Sequence, residues 1–409
     1  MRQPKTIFTT LHHLLIFLSC VLAFGCEEHP QDLRFQLVNP IDLHRNGEVV
    51  TINVKGMNLS KHYTASSDAF AGLPVQHVDL DQDGLWDQLL IALDFGPAEQ
   101  KEVSFLEAEH QSEESAANSI TFSVRKEGVY TGLEIHEMDR KRGAVQAAGD
   151  PFFHLEGPGI ENDKVAFRTF FDPRNGKDIY GKLTEQPVLK RAGIASSWHK
   201  PADWGMDILQ VGKSLGAGGL AVSEEGQLYR LGDADKSRYQ LRYEGSLAAA
   251  HRITFTGWDA GSKKINGYEQ LTLQKGNYYY HNEIGLSDSS LTLAVGMPNF
   301  KSDTLLYTRH NDKLASIWTY APQADGTATH LGMAIMFAHE QYQGHDAIRD
   351  GGAIANTSYV KLSGKGHNDI WFFACWEMSD EYFSTQEHFE RYLQQEADKL
   401  SNKIEIIRI

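Results

Sequence analysis

The stretch Lys164-Val-Ala-Phe-Arg-Thr-Phe-Phe-Asp172 is the most informative for the fold class, because its residues alternate in character. Side chains of a β-strand point alternately to opposite faces of the sheet, so this spacing predicts a strand. The face expected to be mainly polar carries Lys164, Ala166, Arg168, Phe170 and Asp172. An arginine among aromatic residues on one face has two interpretations. The face is either a solvated sheet surface, on which Arg168 pairs with Asp172, or the wall of a groove.

Short alternating runs separated by turn residues recur on both sides of this stretch, which is typical of β-sandwiches. We predict a small N-terminal β-sandwich over residues 33–125 and a larger β-domain over residues 126–409. Helices and strands do not alternate, which disfavours a doubly wound α/β fold. The only clear helix signal is late. Ser384-Thr-Gln-Glu387 predicts a capping box, apolar residues follow at helical spacing, and residues 404–409 predict a closing strand.

Composition and charge narrow the function classes. The 409 residues include 39 Lys plus Arg and 54 Asp plus Glu, which gives a formal charge of −15. Such an excess of negative charge opposes an extended polyanion-binding face, so nucleic acid is not an expected partner. Aromatic residues make up 11% of the chain, enough for a large core and for a cleft in which sugar rings stack.

The N-terminus predicts an exported lipoprotein. Arg2 and Lys5 precede an apolar stretch over residues 14–25 that is short for a membrane span, as in a signal peptide. We expect residues 1–25 to be removed, Cys26 to be lipidated and residues 26–32 to form a tether, with Cys20 as the competing cleavage site. The protein would then lie on the periplasmic or cell-surface face of the outer membrane. Cys375, in an apolar run, is expected to be a buried thiol.

An aspartate-rich loop forms a candidate cation site. The segment Asp79-Leu-Asp-Gln-Asp-Gly-Leu-Trp-Asp87 places Asp79, Asp81, Asp83 and Asp87 around Gly84, which permits a sharp turn. Alternate carboxylates suit calcium, but the position of the bidentate glutamate of an EF-hand is Leu90. The loop therefore predicts either a structural calcium site or a β-turn with solvated aspartates.

Titratable and aromatic residues concentrate in three segments. The block HLEGPGIENDKVAFRTFFDPRNGKDIYGK, residues 154–182, contains His154, Arg168, Asp172 and Tyr180. A second segment, residues 198–207, contains Trp198, His199 and Trp204, and a third places Tyr279 and His281 on one face of a strand. Single histidines of this kind also occur as hydrogen-bonded packing residues.

The first block, followed by DWGMDILQVGKSLGAGGLA from residue 203, resembles a domain-of-unknown-function family of exported proteins from polysaccharide-degrading bacteria. That family includes an oligosaccharide dehydratase of ulvan breakdown. The resemblance extends over about residues 30–409. It implies a β-supersandwich like that of galactose mutarotase, preceded by a β-sandwich. It also implies removal of water from a non-reducing-end uronic acid, which leaves a 4,5-unsaturated sugar.

This chemistry suggests roles for the candidate residues. The proton on C5 lies α to a carboxylate, whose charge must be neutralised by an arginine or a metal before the proton can leave. A base must reach C5, and an acid must protonate the departing oxygen. Arg168 is the candidate for the carboxylate, His199 or His281 for the base, and Tyr180 or His154 for the acid. Trp198, Trp204 and Tyr279 are candidates for stacking on sugar rings, and Asp172 is a further candidate for substrate binding.

The sequence therefore predicts a carbon–oxygen lyase acting on an acidic oligosaccharide. Two alternatives remain open, namely a polysaccharide lyase that expels a sugar after the same proton abstraction, and a non-catalytic glycan-binding lipoprotein. The clustered titratable residues favour an enzyme, because binding alone needs none of them. No cofactor is required by the sequence. A catalytic metal and the oligomeric state are left open.

Overall fold

The structure, a computed structural model, describes residues 33–67, 70–109, 117–126, 129–144, 152–302, 304–322 and 328–409. The predicted signal peptide and tether, with Cys20 and Cys26, lie outside these ranges. Among the residues described, no helix is both long and apolar enough to cross a membrane.

The chain is built almost entirely of β-strands. The first seven are β1 (Leu33–Val38), β2 (Arg45–Asn53), β3 (His62–Ser67), β4 (Phe70–Leu73), β5 (Gln76–Val78), β6 (Gln88–Phe95) and β7 (Gln100–Ala108). The next eight are β8 (Ser119–Thr121), β9 (Ser123–Lys126), β10 (Val129–Glu134), β11 (Glu137–Lys141), β12 (Gly159–Glu161), β13 (Val165–Thr169), β14 (Lys177–Lys182) and β15 (Gly205–Asp207).

The remaining strands up to the C-terminal helix are β16 (Gly219–Glu224), β17 (Gln227–Arg230), β18 (Ala234–Tyr243), β19 (Ala248–Ala260), β20 (Lys263–Gln274), β21 (Tyr279–Leu286), β22 (Thr292–Pro298), β23 (Leu306–Arg309), β24 (Leu314–Ala321), β25 (Leu331–Ala338), β26 (Tyr342–Ile348), β27 (Thr357–Ser363) and β28 (His367–Trp376). Helix α1 (Gln386–Ser401) and strand β29 (Glu405–Arg408) follow. Short 3-10 turns occur at His154–Glu156, His339–Gln341 and Glu381–Ser384.

The N-terminal unit is a sandwich of two sheets. One has the strand order β29-β1-β7-β3-β4 and the other the order β2-β6-β5. Apolar side chains such as Phe35, Ile52, Leu89 and Phe105 fill the space between them. The predicted closing strand is present as β29 and pairs antiparallel with β1, so this sandwich contains a strand from the far end of the chain.

The larger unit is a second and much bigger sandwich. A nine-stranded sheet, β11-β18-β19-β20-β21-β28-β25-β24-β23, packs against two five-stranded sheets, β15-β14-β13-β12-β8 and β17-β16-β22-β27-β26. Phe167 of β13 contacts Tyr280 of β21 across this core, with ring centroids 4.8 Å apart. The prediction of a mainly β protein with a supersandwich and one C-terminal helix is confirmed.

Strand alternation then places the candidate residues. Phe167 and Tyr280 both point into the core from facing sheets. The residues next to Phe167 along its strand therefore point to one outer face of the sandwich, and those next to Tyr280 point to the other. Arg168 therefore lies on the outer side of the five-stranded sheet that contains β13. Tyr279 and His281 lie on the outer side of the nine-stranded sheet, where α1 also packs. Two layers of sheet separate Arg168 from His281.

Two local predictions were wrong. Strand β13 ends at Thr169 rather than at 172, and the chain then turns, so Asp172 does not continue the face of Arg168. The cap of α1 is Thr385, whose side chain accepts a hydrogen bond from the His388 amide at 3.3 Å. Ser384 belongs to the preceding 3-10 turn, and the third residue of the helix is His388 rather than Glu387, so the helix has an N-cap one residue later than predicted and no capping box. Cys375 is buried, as predicted.

Candidate functional site

A buried ion pair lies at the centre of the site. Arg168 and Asp178 are register partners on the adjacent strands β13 and β14. The Arg168 Nη2 donates to Asp178 Oδ2 at 2.6 Å, and both side chains are only 3% exposed. Arg168 Nη1 donates to the backbone oxygen of Leu155 at 3.3 Å. Both terminal nitrogens of the guanidinium are therefore engaged within the protein.

A second carboxylate shares the same guanidinium. Asp207, on β15, places its Oδ2 3.6 Å from Arg168 Nη2. Burial raises the pKa of Asp207 well above its usual value, and the charge of Asp178 raises it further, whereas Arg168 lowers it. Burial also raises the pKa of Asp178 against the opposing effect of Arg168. Two carboxyl groups beside one cation favour retention of a proton on the pair.

His199 connects this buried group to the protein surface. Its side chain is 56% exposed, and its Nδ1 lies 3.4 Å from Asp207 Oδ2. The Trp198 indole Nε1 donates to His199 Nε2 at 3.1 Å. A neutral imidazole that accepts at Nε2 carries its proton on Nδ1, so that proton faces Asp207. A carboxylate behind the ring is the arrangement that orients a histidine acting as a general base.

Aromatic rings enclose the guanidinium. The Arg168 Cζ lies 4.6 Å from the ring centroid of Phe170, 5.6 Å from that of Tyr180 and 5.3 Å from that of Trp198. The Tyr180 hydroxyl and Arg168 Nε are buried and have no hydrogen-bond partner among the described residues. Burial also raises the pKa of Tyr180 well above its usual value, so the phenol stays protonated. We call Arg168, Asp178, Tyr180, Trp198, His199 and Asp207 the Arg168 cluster.

The outer face of β13 is covered rather than solvated. Leu155, Val188, Leu189 and Ala192 pack on it together with Ala166 and Tyr180. The alternative of a solvated face is therefore wrong. So is the pairing of Arg168 with Asp172 that this alternative included, since the structure pairs Asp172 with another residue.

That other residue is Arg174. Its Nε lies 2.9 Å from Asp172 Oδ2, and its Nη2 contacts Glu156. The Arg174 guanidinium lies 3.8 Å from the Phe170 ring centroid, while Arg168 contacts the same ring. Asp172 therefore belongs to a partly exposed ion-pair group next to the Arg168 cluster.

The other sequence candidates divide between two places. His154 is buried near the cluster, with Nε2 3.2 Å from the Leu189 backbone oxygen. Trp204 is also buried, with its ring centroid 6.2 Å from that of Tyr180. Tyr279 and His281, in contrast, line a cavity on the opposite outer face. The structure thus brings His199, Tyr180, Trp198 and Trp204 to Arg168 and separates His281 and Tyr279 from it.

The aspartate loop converges only in part. Carboxylate oxygens of Asp79, Asp81 and Asp87 lie within 4.8 Å of one another, and Asp83 is not part of that group. The Lys55 Nζ lies 2.7 Å from Asp81 and 3.0 Å from Asp87. An ammonium group of the protein itself therefore already pairs with two of the three carboxylates, and a structural calcium ion stays a proposal.

Asp178 and Asp207 were not selected from the sequence as site residues. Asp178 lies in the block that contains Arg168, and Asp178 and Tyr180 share a face of β14 by simple alternation. That pattern places Asp178 beside Tyr180. Its position opposite Arg168 depends on the register of two strands, which no local pattern reveals.

Comparison with known proteins gives one family and a few relatives. The sequence model of a family described as "Domain of unknown function (DUF4861)" matches residues 37–406. An uncharacterized protein P7 from Formosa agariphila is 23% identical over 426 aligned positions, which cover 96% of this chain and 98% of the relative.

Two solved structures from Enterococcus faecalis show a more distant likeness at 9% sequence identity. One is an α-mannosidase, with a TM-score of 0.48, and the other a protein in glycosyl hydrolase family 38, with a TM-score of 0.47. Each alignment covers 93% of this chain, but only 46% and 48% of those structures. The chain thus spans about half their length.

Proposed function

The chain belongs to the DUF4861 family, and we propose that it is a carbohydrate-active carbon–oxygen lyase. Its substrate would be an oligosaccharide with a uronic acid at the non-reducing end, such as those of ulvan. The enzyme would remove the C4 hydroxyl as water and leave a 4,5-unsaturated uronyl end. The observation that carries this proposal is the position of exposed His199 next to buried Asp207, which in turn lies next to Arg168.

His199 is the proposed base. Its imidazole is exposed, so Nε2 can reach the C5 proton of a sugar once the Trp198 indole gives up its hydrogen bond. When Nε2 takes that proton, the ring becomes a cation, and the one negative charge that remains on the Asp178–Asp207 pair stabilises it. Positioned proton transfer of this kind contributes roughly 100- to 10,000-fold to a rate.

Arg168 is proposed as a positioning residue. Because the Arg168 side chain is only 3% exposed, and Nη1 and Nη2 each already donate one bond within the protein, the predicted two-bond grip on a substrate carboxylate is not available in this conformation. The Nε–H has no such partner. We propose that Arg168 holds Asp178 and Asp207 in place, and that its positive charge favours the negative charge that develops on the substrate carboxylate.

Tyr180 is the proposed acid. The C5 proton passes to His199, the C4–O bond breaks, and a proton delivered to the departing oxygen completes a water molecule. His154 is the weaker candidate, because its Nε2 already contacts the Leu189 backbone oxygen. Tyr180 keeps its proton at neutral pH, and its hydroxyl donates to no partner in the described structure. That hydroxyl is fully buried, so the proposal requires the substrate to displace the side chains that cover it. Trp198, at the surface of the cluster, would stack on the sugar ring.

The proposed setting is the cell envelope. Lipidation of Cys26 would hold the enzyme on the periplasmic or cell-surface face of the outer membrane, where oligosaccharides arrive from outside. Fractionation of a Cys26→Ser variant tests this. The variant should leave the membrane fraction, and unchanged membrane association would rule out Cys26 as the anchor.

The reaction is tested with a panel of saturated oligosaccharides that end in a uronic acid, read by mass spectrometry. The proposal expects loss of one water from the substrate without chain cleavage. Two shorter chains, one with an unsaturated end, would identify a polysaccharide lyase instead. An unchanged panel that nevertheless binds the protein would identify a glycan-binding lipoprotein.

A further inference from the structure

A second cleft lies on the opposite side of the molecule from the Arg168 cluster. A cavity of about 640 Å³ is enclosed by β2 of the N-terminal sandwich, the outer face of the nine-stranded sheet and helix α1. Its size falls in the range of pockets that hold small organic ligands, about 300–1,000 Å³. The proposed reaction uses none of its residues.

The sheet contributes two stacked rings to this cavity. His281 and Trp371 are register partners on β21 and β28, so their side chains emerge side by side. Their ring centroids are 5.3 Å apart, with an angle of 18° between the planes. Both side chains are only partly buried, which leaves aromatic surface facing the cavity. Such surfaces provide flat apolar contact for the face of a sugar ring.

A fixed carboxylate lies beside these rings. His281 Nε2 lies 2.7 Å from Asp369 Oδ1, and His367 Nε2 lies 3.1 Å from Asp369 Oδ2. Burial acts to raise the pKa of Asp369, but the contacts with the two imidazoles outweigh burial and lower it. Asp369 is therefore an oriented acceptor, and an ionised carboxylate has lone pairs left for the hydroxyl groups of a ligand.

Three lysines bring positive charge to the same cavity. Lys275 and Lys403 are exposed, and Lys399 pairs with Glu396 at 2.7 Å. Lysine ammonium groups attract carboxylate and sulfate groups as compact point charges. Three carboxylates line the cavity too, but Glu48 pairs with Arg45, Glu396 with Lys399, and Asp369 lies between two histidines. Lys275 and Lys403 form no ion pair with a described carboxylate, so they are the charges left to attract an anion.

We propose that this cleft, which we call the Trp371 cleft, binds an acidic saccharide. A sugar ring lies against Trp371, its hydroxyl groups donate to Asp369, and its carboxylate or sulfate groups lie near Lys275 and Lys403. The cleft is a binding site separate from the proposed active site, and it would hold a longer acidic glycan on the protein while the Arg168 cluster acts on an end. The inference shares the substrate class of the proposed function but does not depend on catalysis.

Calorimetric titration with a sulfated, uronate-containing tetrasaccharide tests the cleft. The titration is made on the full chain carrying His199→Ala, so that turnover does not disturb it. Adding Trp371→Ala should raise the dissociation constant of the cleft about tenfold, the scale expected for loss of one aromatic platform. Trp86→Ala, which removes a tryptophan from the N-terminal sandwich, is the matched control and should leave binding unchanged.

Lys403→Gln gives an independent result, because Lys403 is exposed and its replacement does not disturb packing. It should weaken binding and reduce the dependence of affinity on salt concentration. Unchanged binding in both the Trp371→Ala and Lys403→Gln proteins would overturn the inference, as would equal affinity for a neutral tetrasaccharide. A third outcome separates the two proposals. If the wild-type protein dehydrates no oligosaccharide, but Trp371→Ala still abolishes binding, the result would support the cleft and contradict only the proposed function.

Discussion

The Arg168 guanidinium donates to the Asp178 carboxylate at 2.6 Å across two adjacent strands, and both side chains are almost fully buried. Removing one partner of such a pair leaves the other as an uncompensated charge in the interior. A substitution in this pair is therefore expected to change both the stability of the sheet that contains β13 and β14 and the chemistry of the candidate site. Predictions for this site must separate the two effects.

Arg168→Met should lower the free energy of unfolding by about 3–5 kcal/mol, because Asp178 and Asp207 lose their cation. Chemical denaturation measures this loss. The double variant Arg168→Met/Asp178→Asn should lose clearly less than the sum of the two single variants, since the partners act together. Additive losses would show that the pair is not coupled. Arg230→Met is the matched control for loss of an arginine outside the cluster.

Asp207 should make the protein less stable as pH rises. A carboxyl group whose pKa is higher in the folded state binds more protons when folded, so the free energy of unfolding falls as pH increases between its unfolded and folded pKa values. The fall begins near the unfolded value of about 3.9. In the Asp207→Asn protein, the free energy of unfolding should depend less on pH over this range. At the high-pH end of the range, the variant should be more stable than wild type. An identical pH profile in the variant would contradict the direction of the shift.

Tyr180→Phe separates chemistry from packing. The hydroxyl has no hydrogen-bond partner among the described residues, so its removal should leave the melting temperature unchanged or slightly higher. If Tyr180 protonates the departing oxygen, turnover should fall roughly 100-fold or more while the variant stays folded. Full turnover by a folded Tyr180→Phe protein would exclude Tyr180 as the acid. Tyr239→Phe, another buried tyrosine whose hydroxyl lacks a partner, is the control.

Lys55 should make the aspartate loop independent of calcium. Because its ammonium group already lies between Asp81 and Asp87, we expect a chelator to leave the melting temperature of the wild-type protein unchanged. Lys55→Met removes that cation, and calcium should then raise the melting temperature of the variant. A fall in the wild-type melting temperature on chelation would instead establish a bound structural ion.

Alternation along single strands was sufficient to predict much of the fold. It placed Phe167 and Arg168 on opposite faces of β13 and identified the mainly β architecture. It was wrong about Asp172, because the strand ends at Thr169 and Asn175 turns the chain with a φ of 40°. A sequence pattern of period two continues through a turn without showing where the turn begins.

Which residues form the site depends on contacts between residues that are far apart in the sequence. Asp207 reaches Arg168 because β15 adds to the edge of the sheet beside β14, and that pairing has no local signal. His281 resembled His199 as a candidate base. The structure separates them because Tyr280 faces the same core as Phe167, so its neighbour His281 must point away. The residue types of the candidates could be read from the sequence, but the outer face of the sandwich on which each candidate lies could not.

The central claim is that His199 is the base of a dehydration, and the initial rate of formation of the unsaturated uronyl product tests it most directly. Ultraviolet absorbance of the new double bond follows this rate for wild type, His199→Ala and the exposed control His44→Ala. The account predicts a fall of roughly 100- to 10,000-fold for His199→Ala, with an unchanged melting temperature and a normal rate for the control. A wild-type rate in folded His199→Ala, or no unsaturated product from the wild-type protein, would contradict it.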